Sequence, residues 1–185
     1  MARWLDALRR PLPWRSAAAA APSAQSAGGT AEALTPREVA ERFRDNPDFY
    51  IAASIGADDV RVGRDGRTRF SVEVRVANEV IAMVKGGSIS IAHDGEKTAE
   101  IAQYTIAGPY RRCGLGMAVA RALFRWLHRR HGVTRVLFVS PVQRTQRVAF
   151  KAFVERLGAE PWGHFANDPI APPMYAWSVR RALIV

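Results

Sequence analysis

The chain has 185 residues, of which 48% are hydrophobic, and a formal net charge of +10. This length suits one domain with a tail, and the apolar fraction is sufficient for a buried core. The single cysteine excludes an internal disulfide framework and a cysteine-based zinc site, and it gives no reason to expect an oxidising compartment, so a cytoplasmic location is expected. The positive charge predicts an anionic partner, which could be a polyanionic small molecule, RNA, DNA or an acidic protein surface.

Residues 1–34 are predicted to lie outside the domain, which then comprises residues 35–185. Trp4 and Leu8 share one face of a short N-terminal helix, but so short a helix is marginal alone in water and needs a membrane surface, another subunit or the domain itself to order it. Residues 16–29 are rich in Ala, Ser, Pro and Gly, which is a linker composition. The N-terminus lacks the uninterrupted apolar core of a secretory signal, and no stretch is long and apolar enough to span a bilayer.

A helix is predicted to begin after Thr35. Threonine suits the N-cap, the following proline suits the first helical position, and Glu38 completes a capping box. This helix ends before Asn46, which precedes a proline. Residues 49–55 are predicted to form an apolar strand or a buried connector, and residues 56–66 a loop.

Four antiparallel strands are predicted before the second half of the chain. In residues 70–76, Phe and Val alternate with polar residues, which is the pattern of a half-buried strand. Strand structure continues over residues 80–84 and 88–92, with a bulge or bend at the Gly-Gly pair between them. An Asp-Gly dipeptide then predicts a hairpin turn into a strand over residues 98–106.

The segment from Ile101 to Gly158 is the most informative part of the sequence. A strand that turns directly into a helix leaves the first helical N–H groups unpaired, at the positive end of the helix dipole. Gly114 and Gly116 remove side chains that would block a close approach, and the adjacent Arg111 and Arg112 add positive charge. The loop therefore predicts a phosphate or pyrophosphate site, the alternative being a simple turn with solvated arginines.

The remaining elements follow the same alternation of strand and helix. A helix is predicted from Leu115 to about His131, then a strand over residues 133–140, a helix ending at Leu157, and closing strands over residues 160–165 and 174–181. The first of these helices carries a cationic stripe formed by Arg121, Arg125 and Arg129. This stripe is either a solvated face or a docking face for nucleic acid or an acidic partner. The whole order predicts an α+β fold with a mixed, mostly antiparallel sheet flanked by helices, around a central strand–loop–helix–strand–helix unit.

The motif Arg111-x-x-Gly114-x-Gly116, after a strand and at the start of a helix, resembles the acetyl-CoA signature Gln/Arg-x-x-Gly-x-Gly/Ala of the GNAT superfamily of N-acetyltransferases. The later segment Phe153–Gly158 resembles the closing-helix motif of that family, commonly Leu-Tyr-Glu-Lys-Leu-Gly-Phe. The resemblance covers roughly residues 98–181. It implies the GNAT fold and a reaction in which acetyl-CoA, as co-substrate, donates an acetyl group.

The resemblance also implies which residues bind coenzyme A. In this family the fourth strand supplies backbone contacts to the pantetheine arm, and these fall at Tyr104, Thr105 and Ile106. The loop and the start of the helix hold the pyrophosphate, and these contacts fall at Arg111, Arg112, Cys113, Gly114, Leu115, Gly116 and Met117.

The catalytic groups depart from the family pattern. The usual acid, a Tyr in the closing helix, is replaced by Phe153 or by Val154, depending on the alignment, and neither has a hydroxyl. Glu100, on the strand before the loop, is the best-placed carboxylate for a catalytic base, although an ordinary strand-edge acid is the more common role of such a residue. The four histidines form no spaced pair, so no metal is expected.

Three hypotheses follow from these features. The first is an acetyl-CoA-dependent N-acyltransferase that acts by direct transfer on an unidentified amine acceptor, for example a small amine, an antibiotic, a protein N-terminus or a lysine. The alternative is a catalytically silent GNAT-fold structural or interaction protein, such as a component of a phage particle, assembled as a homo-oligomer or with other proteins through residues 1–34. Nucleic-acid binding through the cationic stripe ranks last, because no recognition motif accompanies the charge.

Overall fold

The computed structural model describes residues 34–164 and 170–178, so predictions for residues 1–33, 165–169 and 179–185 lie outside the described residues. The helices there are α1 Pro36–Asp45, α2 Pro47–Ser54, α3 Leu115–His131 and α4 Arg144–Leu157. The strands are β1 Val60–Val62, β2 Thr68–Val76, β3 Glu79–Ile91, β4 Lys97–Ile106, β5 Arg135–Val139, β6 Glu160–His164 and β7 Pro173–Ser178. In these ranges no helix combines the length and apolarity that a membrane crossing requires.

The strands form one sheet in the order β1-β2-β3-β4-β5-β7-β6. Strands β4 and β5 are parallel, because α3 carries the chain back across the sheet between them, and the other neighbouring strands are antiparallel. Apolar residues of β2 alternate with exposed ones along the whole strand, so one face of this strand is buried. The predicted α+β fold with a mixed, mostly antiparallel sheet is therefore confirmed.

The long hairpin β3–β4 bends where the sequence predicts it. The two segments predicted as strands, residues 80–84 and 88–92, belong to one continuous strand, β3. Gly86, between the two segments, has a φ of +64°. A side chain at Gly86 would also meet the Cβ of Ala102 on β4 at 3.1 Å. Glycine is thus required at the bend for both its backbone conformation and the close approach of β4.

Two predictions before the sheet are wrong in detail. Residues 49–55, expected as a strand or connector, lie largely in helix α2, which begins at Pro47 in the favoured first position of a helix. Only Ile51 of α2 is fully buried, so the apolar residues of this helix do not form a core-facing stripe. The expected loop 56–66 contains a 3-10 turn, Ala57–Asp59, and the short strand β1.

The cationic stripe of α3 is partly used inside the domain. Arg125 donates two hydrogen bonds to Oδ1 of Asp48 at 2.9 and 2.6 Å, and Arg129 donates one to Oδ2 at 2.9 Å. Two of the three arginines of the stripe therefore hold α2 against α3. This contact accounts for them without a nucleic-acid partner.

We predict that Asp48→Asn lowers the free energy of unfolding by roughly 1 kcal/mol at neutral pH, the upper end for a solvent-screened pair. Partial burial raises the pKa of Asp48, but the hydrogen bonds and charges of Arg125 and Arg129 outweigh it and hold the pKa below the usual aspartate range. The contribution is therefore present above the ordinary pKa and is lost as the pH falls through the lowered pKa. Urea unfolding at neutral and at acid pH measures the difference, which should vanish in acid.

The matched control is Asp58→Asn, because Asp58 lies 3.7 Å from Arg61 in a pair whose side chains are 97% and 74% exposed. This change should alter stability little at either pH. Equal effects of the two substitutions would contradict the assignment of Asp48 as the link between α2 and α3.

Candidate active site

The pairing of the parallel strands β4 and β5 ends part-way along β4, one residue before the end of β5. Their pairing runs from Thr98–Arg135 to Ile101–Phe138 and ends there, although β4 continues to Ile106. Over those last residues β4 remains paired with β3, up to Ala82–Ile106, so only its β5-facing edge is released. Released N–H and C=O groups need other partners, and a ligand with amide groups can supply them.

A second feature lies where the chain leaves β4. Helix α3 begins after Gly114 without a side-chain cap among the described residues, which leaves its first N–H groups available. Arg112 and Gly114 both have left-handed backbone conformations, with φ of +64° and +77°. Alternation of this kind turns successive N–H groups toward one concave side, which is an anion-binding geometry. We call residues 111–117 the cradle.

The cradle is held in place by one side chain from another element, that of Arg44, and by one of its own, that of Arg111. The guanidinium of Arg44, on α1, donates to the carbonyl oxygen of Cys113. Because a peptide unit is planar, fixing this carbonyl also fixes the direction of the Gly114 N–H. Nε of Arg111 donates to the carbonyl oxygen of Ile106 at 2.9 Å, which fastens the cradle to the end of β4.

The glycines of the cradle leave space for a ligand. A Cβ at Gly114 would meet no atom within 4 Å, so this position is open on its outer side. A Cβ at Gly116 would lie 3.4 Å from Ile106 and 3.7 Å from Phe153, in the corner where β4, α3 and α4 meet. With exposed Arg111 and Arg112 beside it, the cradle has the space, the donors and the charge for a pyrophosphate.

Aromatic side chains occupy the region where β4 and β5 separate. The ring of Tyr104 stacks on that of Phe153 at 5.3 Å and 10°, and meets the edge of Phe138 at 6.3 Å. Val154, by contrast, is fully buried in the core. Of the two residues that could occupy the family's tyrosine slot, Phe153 is therefore the one beside the separated strands.

Glu100 lies on β4, one residue before the pairing with β5 ends. Its neighbours Ala99 and Ile101 are buried, so the Glu100 side chain points to the opposite face of the strand. Burial raises the pKa of the Glu100 carboxyl, and the nearby charge of Arg67 opposes this only in part. A carboxylate with a raised pKa is a stronger base than an ordinary surface glutamate.

The structure thus brings most of the predicted residues to one end of β4. Tyr104, Thr105 and Ile106 lie on its released part, and the cradle follows directly. Glu100 is on the same strand but on the other side of the point of separation. The sequence reasoning missed Arg44, because nothing in the helical pattern of α1 points to a carbonyl 69 residues away. In the described residues no group of three His, Cys, Asp or Glu is arranged to hold a metal ion.

Comparison with known proteins agrees with this geometry. Residues 31–159 match the model of the acetyltransferase (GNAT) family. A search of curated proteins finds no match.

Solved structures with similar chain traces include three complexes with coenzyme A or a related ligand. Naa50 of Arabidopsis thaliana, in complex with a bisubstrate analogue, has a TM-score of 0.42 and 12% identity, over 58% of this chain and 72% of that one. RimL, a ribosomal alpha-N-protein acetyltransferase in complex with coenzyme A, has a TM-score of 0.43 and 18% identity, over 60% of this chain and 62% of that one. RimJ of Mycobacterium smegmatis, in complex with CoA-disulfide, has a TM-score of 0.46 and 14% identity, over 65% of this chain and 59% of that one. This chain spans about three fifths of the length of the last two. At these identities and TM-scores the three likenesses add nothing to the family match.

We predict that Arg44→Ala weakens binding of ADP, a probe that carries a pyrophosphate, by roughly fivefold, as expected for loss of one charge-assisted hydrogen bond. Without Arg44 the peptide between Cys113 and Gly114 is free to turn its N–H away from the anion. Calorimetric titration measures the dissociation constant. Arg42→Ala is the control, because Arg42 is an exposed arginine of the same helix and its substitution removes the same charge. Equal weakening by both variants would mean that only net charge matters.

Proposed function

Because the chain belongs to the GNAT family of acetyltransferases, we propose that it is an acetyl-CoA-dependent N-acyltransferase that moves the acetyl group directly to an amine acceptor. The observation that carries this proposal is the separation of β4 from β5 next to an uncapped, glycine-containing helix start. The released edge of β4 offers free backbone groups, and the start of α3 offers N–H donors for an anion. Coenzyme A requires both, because it joins an amide-containing arm to a pyrophosphate.

The residues proposed to hold coenzyme A divide between these two features. On the released edge, the backbone groups of Tyr104 and Ile106 would bond the amide groups of the pantetheine arm, while those of Thr105 between them face β3. The pyrophosphate would lie against the N–H groups of the cradle, where Arg111 and Arg112 add charge. Arg111 already donates to the Ile106 carbonyl, so its guanidinium stands between the two parts of the site.

When bound, acetyl-CoA supplies an activated acetyl group whose C–S bond breaks as the acceptor nitrogen bonds to the carbonyl carbon. The task of the protein is mainly to position the two reactants and to manage protons. The acceptor amine must be neutral to attack, so it gives up a proton. The departing thiolate gains one.

Glu100 is the residue proposed to take the proton from the amine, directly or through water. Its support is its place beside the point of separation and its half-buried carboxyl with a raised pKa. The carboxylate form accepts the proton, and that form becomes more abundant as the pH rises through the raised pKa. The nature of the acceptor is left open by the residues named here, because fold and loop do not determine it.

Phe153 favours a second candidate, the catalytically silent interaction protein assembled through residues 1–34. It occupies the slot beside the separated strands where the family pattern has a tyrosine, and it cannot protonate a thiolate. Water can replace that proton donor, since the pKa of a thiol is low enough for thiolate to leave without an acid. The acyltransferase is therefore preferred, and an intact cradle without turnover would favour the second candidate.

The coenzyme assignment is tested by a pair of glycine substitutions. Gly114 and Gly95 have nearly the same backbone, with φ of +77° and +80°, and a Cβ at either meets no atom within 4 Å. Glutamate at either position therefore carries similar backbone strain, of roughly 1 kcal/mol. Only Gly114→Glu places a carboxylate against the bound pyrophosphate.

We expect Gly114→Glu to weaken acetyl-CoA binding by at least about a hundredfold through steric block and charge repulsion. Gly95→Glu, in the hairpin between β3 and β4, should bind like the parent. Calorimetric titration of the three proteins decides the matter. Retained binding in Gly114→Glu would remove the cradle from the coenzyme site.

The proposed base is tested by pH dependence. The rate at saturating acetyl-CoA should rise with pH along a limb above the ordinary glutamate range, because burial raises the Glu100 pKa. Glu100→Gln should remove that limb and lower kcat by about a hundredfold. Glu73→Gln, the same change at a partly exposed residue of β2, should leave the profile as it is. A profile unchanged by Glu100→Gln would show that another group is the base.

A further inference from the structure

The side chain of Tyr104 joins the three elements that build the site. Its hydroxyl donates a hydrogen bond of 2.6 Å to the carbonyl oxygen of Gly116, in the first turn of α3. Its ring stacks on Phe153 of α4 and touches the edge of Phe138 on β5. One side chain thus ties the released part of β4 to the cradle, to the closing helix and to the other separated strand.

The hydroxyl is already engaged as a donor to the protein itself. Burial raises the pKa of Tyr104, so its hydroxyl stays protonated and keeps this hydrogen bond across the working pH range. A tyrosine that acted as the catalytic acid would need its proton directed at the leaving sulfur. A hydroxyl directed at the Gly116 carbonyl is arranged to hold a distance instead.

The internal shape of the cradle does not depend on Tyr104. Arg44 fixes the Cys113 carbonyl, the Cys113 thiol donates to the carbonyl oxygen of Tyr110 at 2.8 Å, and the Met117 N–H donates to that of Gly114 at 3.2 Å. These contacts set the direction of the N–H groups. They do not join the cradle to the strand. Two hydrogen bonds do so directly, from the Tyr104 hydroxyl to Gly116 and from Arg111 to Ile106.

We propose that Tyr104 is a positioning residue that sets the spacing between the released strand and the cradle, so that one coenzyme A molecule can bind both at once. The inference rests on the proposed function, because it concerns the same coenzyme. A ligand that binds two sites together gains affinity only when their separation matches its own length. A ligand that binds one site alone is indifferent to that separation.

The test compares two ligands on the variant Tyr104→Phe, which keeps the stacked ring and removes only the hydroxyl. Acetyl-CoA spans both parts of the site, whereas ADP carries the pyrophosphate without the pantetheine arm. We expect the dissociation constant of acetyl-CoA to rise about tenfold and that of ADP to change less than about twofold. The loss of acetyl-CoA affinity is only partial, because Arg111 still ties the cradle to β4. KM for acetyl-CoA should rise in parallel, with kcat at saturation within about threefold of the parent.

Tyr175→Phe is the matched control. Tyr175 contacts Phe150 in the same aromatic cluster, and its hydroxyl makes no hydrogen bond with the described residues. This variant should bind both ligands like the parent. Thermal unfolding of both variants shows whether either substitution disturbs the fold.

Each outcome separates the positioning role from the others. Equal weakening of acetyl-CoA and ADP would indicate a general structural role and overturn the proposal. A hundredfold fall in kcat with unchanged KM would make Tyr104 a catalytic acid and also overturn it. If Tyr104→Phe binds acetyl-CoA as the parent does, the spacing role fails and the acyltransferase stands. If the parent itself binds no acetyl-CoA, the proposed function fails first.

Discussion

The loss of pairing between β4 and β5 after Ile101 and Phe138 is the constraint on which the rest of the site depends. Strand β4 continues to Ile106 without β5 beside it, and this leaves backbone donors and acceptors on its edge that must find other partners. The pairing of β4 with β3 continues, so the released edge is held in place by a neighbouring strand. An edge held in this way with free backbone groups is well suited to an extended ligand, because little conformational entropy is lost in the protein on binding.

The cradle complements this edge with a different chemistry. An uncapped helix start, two left-handed residues and two arginines favour an anion, while the edge of β4 favours amides. Long-range contacts hold the two together: Arg44 reaches the cradle from α1, and Asp48 of α2 binds Arg125 and Arg129 of α3. The N-terminal helix pair therefore braces α3 at its start and along its length.

Local chemistry made much of this fold predictable from the sequence. The capping box at Thr35, the Asp-Gly hairpin and the bend at Gly86 each follow from residues close together in the chain, and each is present. The cradle was predictable because its glycines and arginines are contiguous. The prediction failed for α2, where a proline at the first helical position outweighed an apolar run.

What the sequence could not give is the geometry between distant residues. The point where β4 leaves β5 has no signature, because apolar and polar residues are interspersed on both sides of it. The Arg44–Cys113 and Arg125–Asp48 contacts join residues 69 and 77 positions apart, and single arginines carry no sign of their partners. The choice between Phe153 and Val154 likewise needed the packing of α4 against Tyr104.

The most direct test of the account is an amide NMR titration of the 15N-labelled protein with acetyl-CoA. We expect saturable one-to-one binding, with the largest shift changes in two groups, residues 104–106 of β4 and residues 114–117 of the cradle. Shifts in the cradle alone would show a plain anion site that does not engage the strand. No change at millimolar acetyl-CoA, or changes confined to other surfaces, would contradict the claim that the separated strand and the cradle form one coenzyme site.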